Sequence, residues 1–204
     1  MSLAQSIEQA KDFGSWLHEK TNDRKFPDEI RKRTGLAILQ LSLDIDDAII
    51  VLLVANLPGP ALSLARPLFE GYVRGFWLLK YASNEQVNKF LDGKCPNFPS
   101  LLAAIGKNRE SGGAWIHANS DQNLIAFHNL THGGSEHVKR RNRDDSVEPS
   151  YPNHELESLV KFGNEVRIRI GVELLTNSND EEAIVQLHKR AEDLRLESSL
   201  EGPN

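Results

Sequence analysis

Residues 64–82, LARPLFEGYVRGFWLLKYA, decide the fold of this chain because they are apolar at nearly every position. Arg66, Glu70 and Arg74 are the main exceptions, and they follow one another at intervals of four residues. At about 100° per residue, these three side chains, termed the arginine ladder, fall within one narrow arc of a helix. A helix that is apolar on its other sides normally lies at the centre of a bundle. The stretch therefore predicts a central helix with charges along one arc.

Two prolines shape this central stretch. The helix follows Pro60, and Pro67 lies inside it, where the missing amide hydrogen and the proline ring oppose a continuous helix. The helix is therefore expected either to kink at Pro67 or to restart there, with this proline in the first turn of the new helix.

Helical periodicity dominates the rest of the chain. Leu3, Ile7 and Leu17 lie on one stripe of an N-terminal helix, for which Ser2 is a suitable N-cap. The other expected helices cover residues 27–56, 85–91 with Asn84 as the cap, 98–107, 121–131, 154–175 and 180–198. The sequence shows no alternating strand pattern and no internal repeat. It therefore predicts an all-α, single-domain helical bundle of five or more helices.

The domain is expected to span residues 1–204, a length sufficient for a buried core. Within it, the helix in residues 1–24 is expected to lie at the periphery. Residues 93–120 are rich in Gly, Pro and Asn and are expected to form an irregular insertion. Residues 178–204 are expected to form a C-terminal helix and tail.

Composition and charge exclude several classes of protein. With 39% hydrophobic and 26% charged residues, the chain is neither disordered nor fibrous. Its net charge of -5 argues against a protein that coats nucleic acid by bulk electrostatics, although a local basic patch is compatible with it. The single cysteine, Cys95, excludes an internal disulfide and a cysteine-based zinc site. Without a signal-peptide pattern or a long apolar run, we expect a cytoplasmic protein with no membrane contact.

The arginine ladder has two interpretations. Glu70 stands four residues from each arginine and is placed to bridge both, which leaves one positive charge over. In the structural interpretation, Asp47 of the preceding helix takes up that charge in an interhelical ion pair. In the functional interpretation, an arginine faces a phosphate or carboxylate in a cleft. Aromatic side chains such as Trp77 and Tyr81 then wall the cleft or stack on a base.

A second group of chemically active side chains lies in FHNLTHGGSEHVKRRNR, residues 127–143. His128 and His132 are four residues apart, so on a helix they project from one face. The glutamate that follows the first histidine in zinc proteases is replaced by Asn129, and no metal is expected. His132 is either a general base, beside two glycines that open space for a substrate, or a local cap of the helix.

Three short motifs occur in a recognisable order: LARPLFEGYVRGFWL, then NLTHGG with a basic run after it, then PSYP before a long helix. The basic run includes Arg140 and Arg141, and it either contacts phosphates or forms solvated loop surface. Over about residues 30–190, this arrangement resembles an uncharacterised family of bacterial all-helical proteins, a domain of unknown function. The resemblance implies a fold but no activity.

More distantly, the arrangement resembles the HEPN superfamily of helical bundles, which often dimerise. Many of its members are metal-independent ribonucleases of defence or toxin–antitoxin systems, with an arginine, a polar residue and then a histidine on one helix. The resemblance implies that the arginine stabilises phosphate while the histidine assists attack by the ribose 2′-hydroxyl. Because His132 has no arginine upstream on its own helix, Arg66 or Arg74 of another helix, or a partner protomer, would supply it. Asn129 would be the polar residue.

Two functional hypotheses follow. The first is a HEPN-like effector that binds or cleaves RNA, with His132 as base and Asn129 beside Arg66 or Arg74 at the phosphate. His128 and the basic run provide further binding contacts. The second is a non-enzymatic helical module that binds a protein or a small anionic ligand. Both hypotheses predict a homodimer, and neither requires a cofactor or a metal.

Overall fold

A computed structural model describes residues 2–106, 113–131 and 134–194, and this part of the chain contains ten α-helices and no strand. The helices are α1 (Leu3–Thr21), α2 (Ile30–Val54), α3 (Pro58–Ser63), α4 (Ala65–Lys80), α5 (Asn84–Leu91), α6 (Phe98–Gly106), α7 (Gly113–Thr131), α8 (Ser135–Lys139), α9 (Asn153–Asn177) and α10 (Glu181–Asp193). The predicted all-α bundle is confirmed. None of these described helices is both long enough and apolar enough to cross a membrane.

The central stretch forms two helices, because the chain breaks at Leu64 between α3 and α4. The first backbone hydrogen bond of α4 runs from Leu68 N to Leu64 O, at 3.0 Å. Pro67 therefore stands in the first turn of α4, where an amide hydrogen would have no partner within the helix. Of the two expectations for Pro67, the restart is the one that the structure shows.

Helix α4 lies at the centre of the bundle, as its apolar sides predict. Leu68, Phe69 and Val73 are each 0% exposed. The main neighbour of α4 is α2, and the two backbones come close where Gly35 faces Gly75. A Cβ at Gly35 would lie 2.8 Å from the backbone nitrogen of Leu79, so a larger residue there would push the helices apart.

Helix caps explain where several helices begin, and they correct some predicted bounds. Ser2 caps α1 in a capping box with Gln5, as expected. Ser83, rather than Asn84, caps α5 because its hydroxyl accepts from the backbone of Gln86. Helix α2 begins at Ile30 instead of residue 27, α7 begins at Gly113 instead of residue 121, and the short α8 lies where no helix was predicted. Asp180 caps α10.

Helix α1 lies against α9 and α2, with Ile7, Ala10 and Leu17 in the main core. A second, smaller core joins α9 to α10 and α1 and includes Phe13, Ile168 and Leu187. The N-terminal and C-terminal helices of the described chain therefore pack against the same helix, α9.

The side chain of Arg167 lies buried where α1, α2 and α9 meet, and it is 1% exposed. Its Nη2 atom lies 2.6 Å from Asp46 Oδ2 and 2.7 Å from Asp47 Oδ1, both on α2. Its Nη1 atom donates to the backbone carbonyl of Ala10 on α1, at 2.5 Å. One guanidinium thus connects all three helices. We term the side chains of Arg167, Asp46 and Asp47 the Arg167 cluster.

Two glycines make room for the Arg167 cluster. A Cβ at Gly14 of α1 would lie 2.6 Å from Arg167 Nη1, and one at Gly163 of α9 would collide with Asp46 Oδ1. Burial raises the pKa of Asp46 above the ordinary aspartate value, Arg167 opposes this rise, and the adjacent Asp47 carboxylate adds to it. The guanidinium is therefore required to hold two carboxylates in a confined space.

Replacing the buried arginine, Arg167→Met, is expected to reduce the free energy of unfolding by about 3–5 kcal/mol, because Asp46 loses its counter-ion inside the protein. Urea denaturation monitored by circular dichroism measures this loss. Arg33→Met is the matched control, since Arg33 pairs with Asp28 at 2.8 Å but both side chains are exposed. Equal losses for the two variants would show that the buried cluster is not a principal support of the fold.

Candidate functional site

The arginine ladder forms as the spacing predicts. Arg66 Nε donates to Glu70 Oε1 at 2.7 Å, and Arg74 Nη2 donates to Glu70 Oε2 at 2.9 Å. The Glu70 side chain is 15% exposed, whereas those of Arg66 and Arg74 are 25% and 34% exposed. The ladder is therefore half-buried, with its carboxylate on the inner side and its two guanidinium groups nearer the surface.

Asp47 does not serve the ladder, and this corrects the expected partner. Its Oδ1 atom binds Arg167 of α9, and its Oδ2 atom lies 2.6 Å from His18 Nε2 of α1. The reason is the rotation of α2, which turns Asp47 toward α1 and α9 and away from α4. The predicted interhelical pair of Asp47 with an arginine exists, but the arginine is Arg167.

The ladder instead meets the histidine segment. Arg66 Nη1 lies 2.6 Å from Nδ1 of His128, which projects from α7 and is exposed. A guanidinium has only donors, so Nδ1 of His128 must be the acceptor. In the neutral ring the proton then lies on the other nitrogen, Nε2. The contact joins the two groups that the sequence singles out, and we term it the Arg66–His128 site.

Of the other two predicted catalytic residues, the structure describes Asn129 but not His132. His132 lies outside the described residues, so its predicted role stays a prediction. Asn129 follows His128 on α7 and is half-buried, and its carbonyl accepts from the amide of Gly134 at 2.9 Å. This bond closes the C-terminal end of α7 beside the Arg66–His128 site.

The predicted aromatic wall is absent at Trp77. This side chain is 2% exposed and belongs to the main core, because the apolar side of α4 faces its neighbours. Tyr81 is partly buried, and its ring packs edge-on against Phe76 with centroids 5.9 Å apart. The interpretation of Trp77 as a ligand-binding residue is therefore wrong.

The basic run divides into a paired and an exposed arginine. Arg140 binds Glu155 through Nε at 2.7 Å and Glu136 through Nη1 at 2.7 Å, and its side chain is 18% exposed. Hydrogen bonds from Arg140 and then Lys139 lower the pKa of Glu136 to about 2. Arg140 therefore fixes α8 to the start of α9, while Arg141 is exposed on the following turn.

His137 was not among the predicted site residues, and its hydrogen bonds show a structural role. Its Nε2 atom lies 2.6 Å from the carbonyl of Leu130 and 3.1 Å from Ser63 Oγ, and its Nδ1 atom lies 3.1 Å from Tyr151 Oη. Because a carbonyl only accepts, Nε2 carries the proton and cannot act as a base toward Ser63. The ring ties the end of α7 to α3 and to Tyr151 of the PSYP motif, which is the sequence signal that marks this contact.

Metal binding has no support in the described residues. No group of three or more His, Cys, Asp or Glu side chains is arranged there to hold an ion. The chemistry available at the Arg66–His128 site consists of guanidinium donors and an imidazole, a combination suited to an anion.

Replacing the carboxylate of the ladder, Glu70→Gln, is expected to reduce the free energy of unfolding by about 1 kcal/mol, because two half-buried arginines lose their shared partner. Glu85→Gln of α5 is the matched control: its i,i+4 pair with Lys89 has a similar distance, 2.6 Å, but a 78% exposed carboxylate. Urea denaturation should give the larger loss for Glu70→Gln. A loss no larger than that of the control would mean that the ladder does not contribute to stability.

Comparison with known proteins adds a family but no activity. The sequence model of one family, described as a family of unknown function (DUF6988), matches residues 39–195. No curated protein and no solved structure matches the chain. The matched region contains α3 to α10 in full, and with them the arginine ladder and His128. Since it covers well over half of the 204 residues, the chain belongs to DUF6988, a family of unknown function.

Proposed function

We propose that this protein binds RNA through the Arg66–His128 site and cleaves it without a metal ion, as a HEPN-like effector of a bacterial defence or toxin-type system. The observation that carries the proposal is the 2.6 Å contact between Arg66 Nη1 and His128 Nδ1. It places a phosphate-binding cation and an imidazole hydrogen-bond donor side by side at the surface. They come from α4 and α7, whereas the HEPN motif has them on one helix.

The ladder supplies the phosphate contact. Its three side chains carry a net charge of +1, since one carboxylate serves two guanidinium groups. Arg74 uses a single Nη atom for Glu70 and has no other hydrogen-bond partner in the described ranges, and in this proposal its remaining donors bind the phosphate. Guanidinium groups bind phosphate oxygens with two parallel hydrogen bonds. Glu70 holds the two arginines in place before the ligand arrives.

His128 supplies a hydrogen-bond donor in this scheme. The 2′-hydroxyl oxygen attacks the adjacent phosphorus, the bond from phosphorus to O5′ breaks, and a 2′,3′-cyclic phosphate and a 5′-hydroxyl form. A general base takes the proton of the 2′-hydroxyl and returns it to O5′, while Nε2–H of His128 donates a hydrogen bond to a non-bridging phosphate oxygen. His132, four residues further along the sequence, is the proposed base, and Asn129 the proposed polar contact. Arg66 holds His128 in the tautomer that can donate.

The alternative is a non-enzymatic module that binds a protein, and exposed apolar side chains on α2 favour it. Leu41, Val51 and Val54 are 51%, 65% and 61% exposed. Such a surface suits a partner protein or a second copy of the chain. A homodimer is compatible with both functions, because these exposed residues of α2 do not belong to the Arg66–His128 site.

The test is incubation of purified protein with single-stranded RNA in EDTA, with cleavage followed on gels and binding by fluorescence anisotropy. The wild type should bind the RNA and cut it to products that end in cyclic phosphate. His128→Ala should keep most of the binding and lose most of the cleavage. Arg66→Gln should weaken binding about tenfold, because a charge-assisted contact to phosphate is lost.

Arg33→Gln is the matched control for charge, since it removes an exposed arginine from the far end of α2. It should bind and cut like the wild type. Intact RNA with the wild type and with both site variants would reject cleavage. Equal binding by Arg66→Gln and Arg33→Gln would reject the Arg66–His128 site as the RNA contact.

A further inference from the structure

A second surface feature lies between α7 and α9, beside the Arg66–His128 site. It is a cavity of about 280 Å³ whose floor is apolar, with Leu62, Leu130 and Leu159 at 5–7% exposure. Phe127 of α7 and Phe162 of α9 are partly exposed at its wall, and their ring centroids are 5.3 Å apart. We term this cavity the aromatic slot.

Two carboxylates, Glu155 and Glu165, are among the polar groups that line the slot. Glu165 accepts the indole N–H of Trp115 through Oε2 at 3.1 Å, and its second oxygen has no hydrogen bond in the ranges that the structure describes. Trp115 in turn stacks on Phe162, with an interplanar angle of 15°. A fixed carboxylate beside exposed aromatic rings is complementary to a flat ring that bears an amino group.

The slot also offers one cation. Lys161 lies at its edge and has neither an ion pair nor a hydrogen bond with the part of the chain that is described. The complementary ligand therefore combines a flat, amino-bearing ring with a nearby anion, which is the chemistry of a nucleotide.

The slot and the Arg66–His128 site are neighbours on both helices that build them. Phe127 lines the slot and His128 contacts Arg66, while Ala65 lines the slot and Arg66 is the next residue. Consecutive Cα atoms are about 3.8 Å apart, so one nucleotide step along a strand can connect the two features.

We infer that the aromatic slot binds a nucleobase with an exocyclic amino group, such as adenine, of the RNA strand whose phosphate meets the arginine ladder. This inference rests on the proposed function for its ligand class. The base stacks on the ring of Phe162, Phe127 meets it at an angle because the two phenylalanine rings are tilted by 52°, and the amino group of the base donates to Glu165. Stacking of one base on an aromatic side chain should make a strand with bases bind about tenfold more tightly than a strand without them.

The experiment compares two short oligonucleotides of equal length, one of adenosine units and one without bases, both with 2′-O-methyl ribose so that cleavage cannot occur. Anisotropy should show the wild type binding the adenine strand about tenfold more tightly. Phe162→Leu should lose this preference, and Phe90→Leu, a partly buried phenylalanine of α5, should keep it. Glu165→Gln should reduce the preference and serves if Phe162→Leu does not fold, which circular dichroism reveals.

The outcomes separate this inference from the proposed function. If the wild type binds both strands equally well, the slot does not bind a base, and the proposed phosphate contact is unaffected. If neither strand binds, the proposed function fails, and titration with adenosine alone decides the slot. Binding of adenosine to the wild type but not to Phe162→Leu then supports it, and no binding overturns it.

Discussion

The guanidinium of Arg167 is the contact on which the arrangement of the bundle depends, because it connects α1, α2 and α9 inside the protein. It binds Asp46 and Asp47 of α2 at 2.6 and 2.7 Å and also the backbone of α1. Breaking such a buried pair leaves a charge without a partner, which is far more costly than losing a surface pair. The cluster thereby fixes how α2 is rotated about its axis.

That rotation determines what the arginine ladder can bind. Since Asp46 and Asp47 face α9, neither carboxylate is available to α4. His128 of α7 then meets Arg66 at 2.6 Å. The molecule thus separates two kinds of arginine: Arg167, 1% exposed, connects helices in the interior, while Arg66 and Arg74, 25% and 34% exposed, lie nearer the surface, where we propose that they meet an anion. The proposed RNA site and the adjoining aromatic slot follow from this separation.

The sequence predicted those features that depend on spacing along one helix. The all-α fold, the Ser2 cap and the Glu70 bridge are of this kind, because helical geometry relates residues three or four positions apart. The partner of Asp47 depends on how α2 and α9 are rotated, which periodicity does not specify. The signal for it was present in VRIRIG, where Arg167 stands among apolar residues as Arg66 does in α4. Trp77 was misassigned because it lies on the same arc of α4 as the charged residues. Helical spacing alone does not show which side of α4 neighbouring helices bury.

The most direct measurement of the central claim is nitrogen-15 NMR of the imidazole and guanidinium groups, recorded with and without a short single-stranded RNA. The account predicts that free His128 has its proton on Nε2 and that RNA shifts the signals of His128, Arg66 and Arg74. The signals of the buried Arg167 should stay in place, which controls for a general change of fold. A His128 proton on Nδ1, or RNA that leaves His128 and the ladder unchanged, would contradict the account.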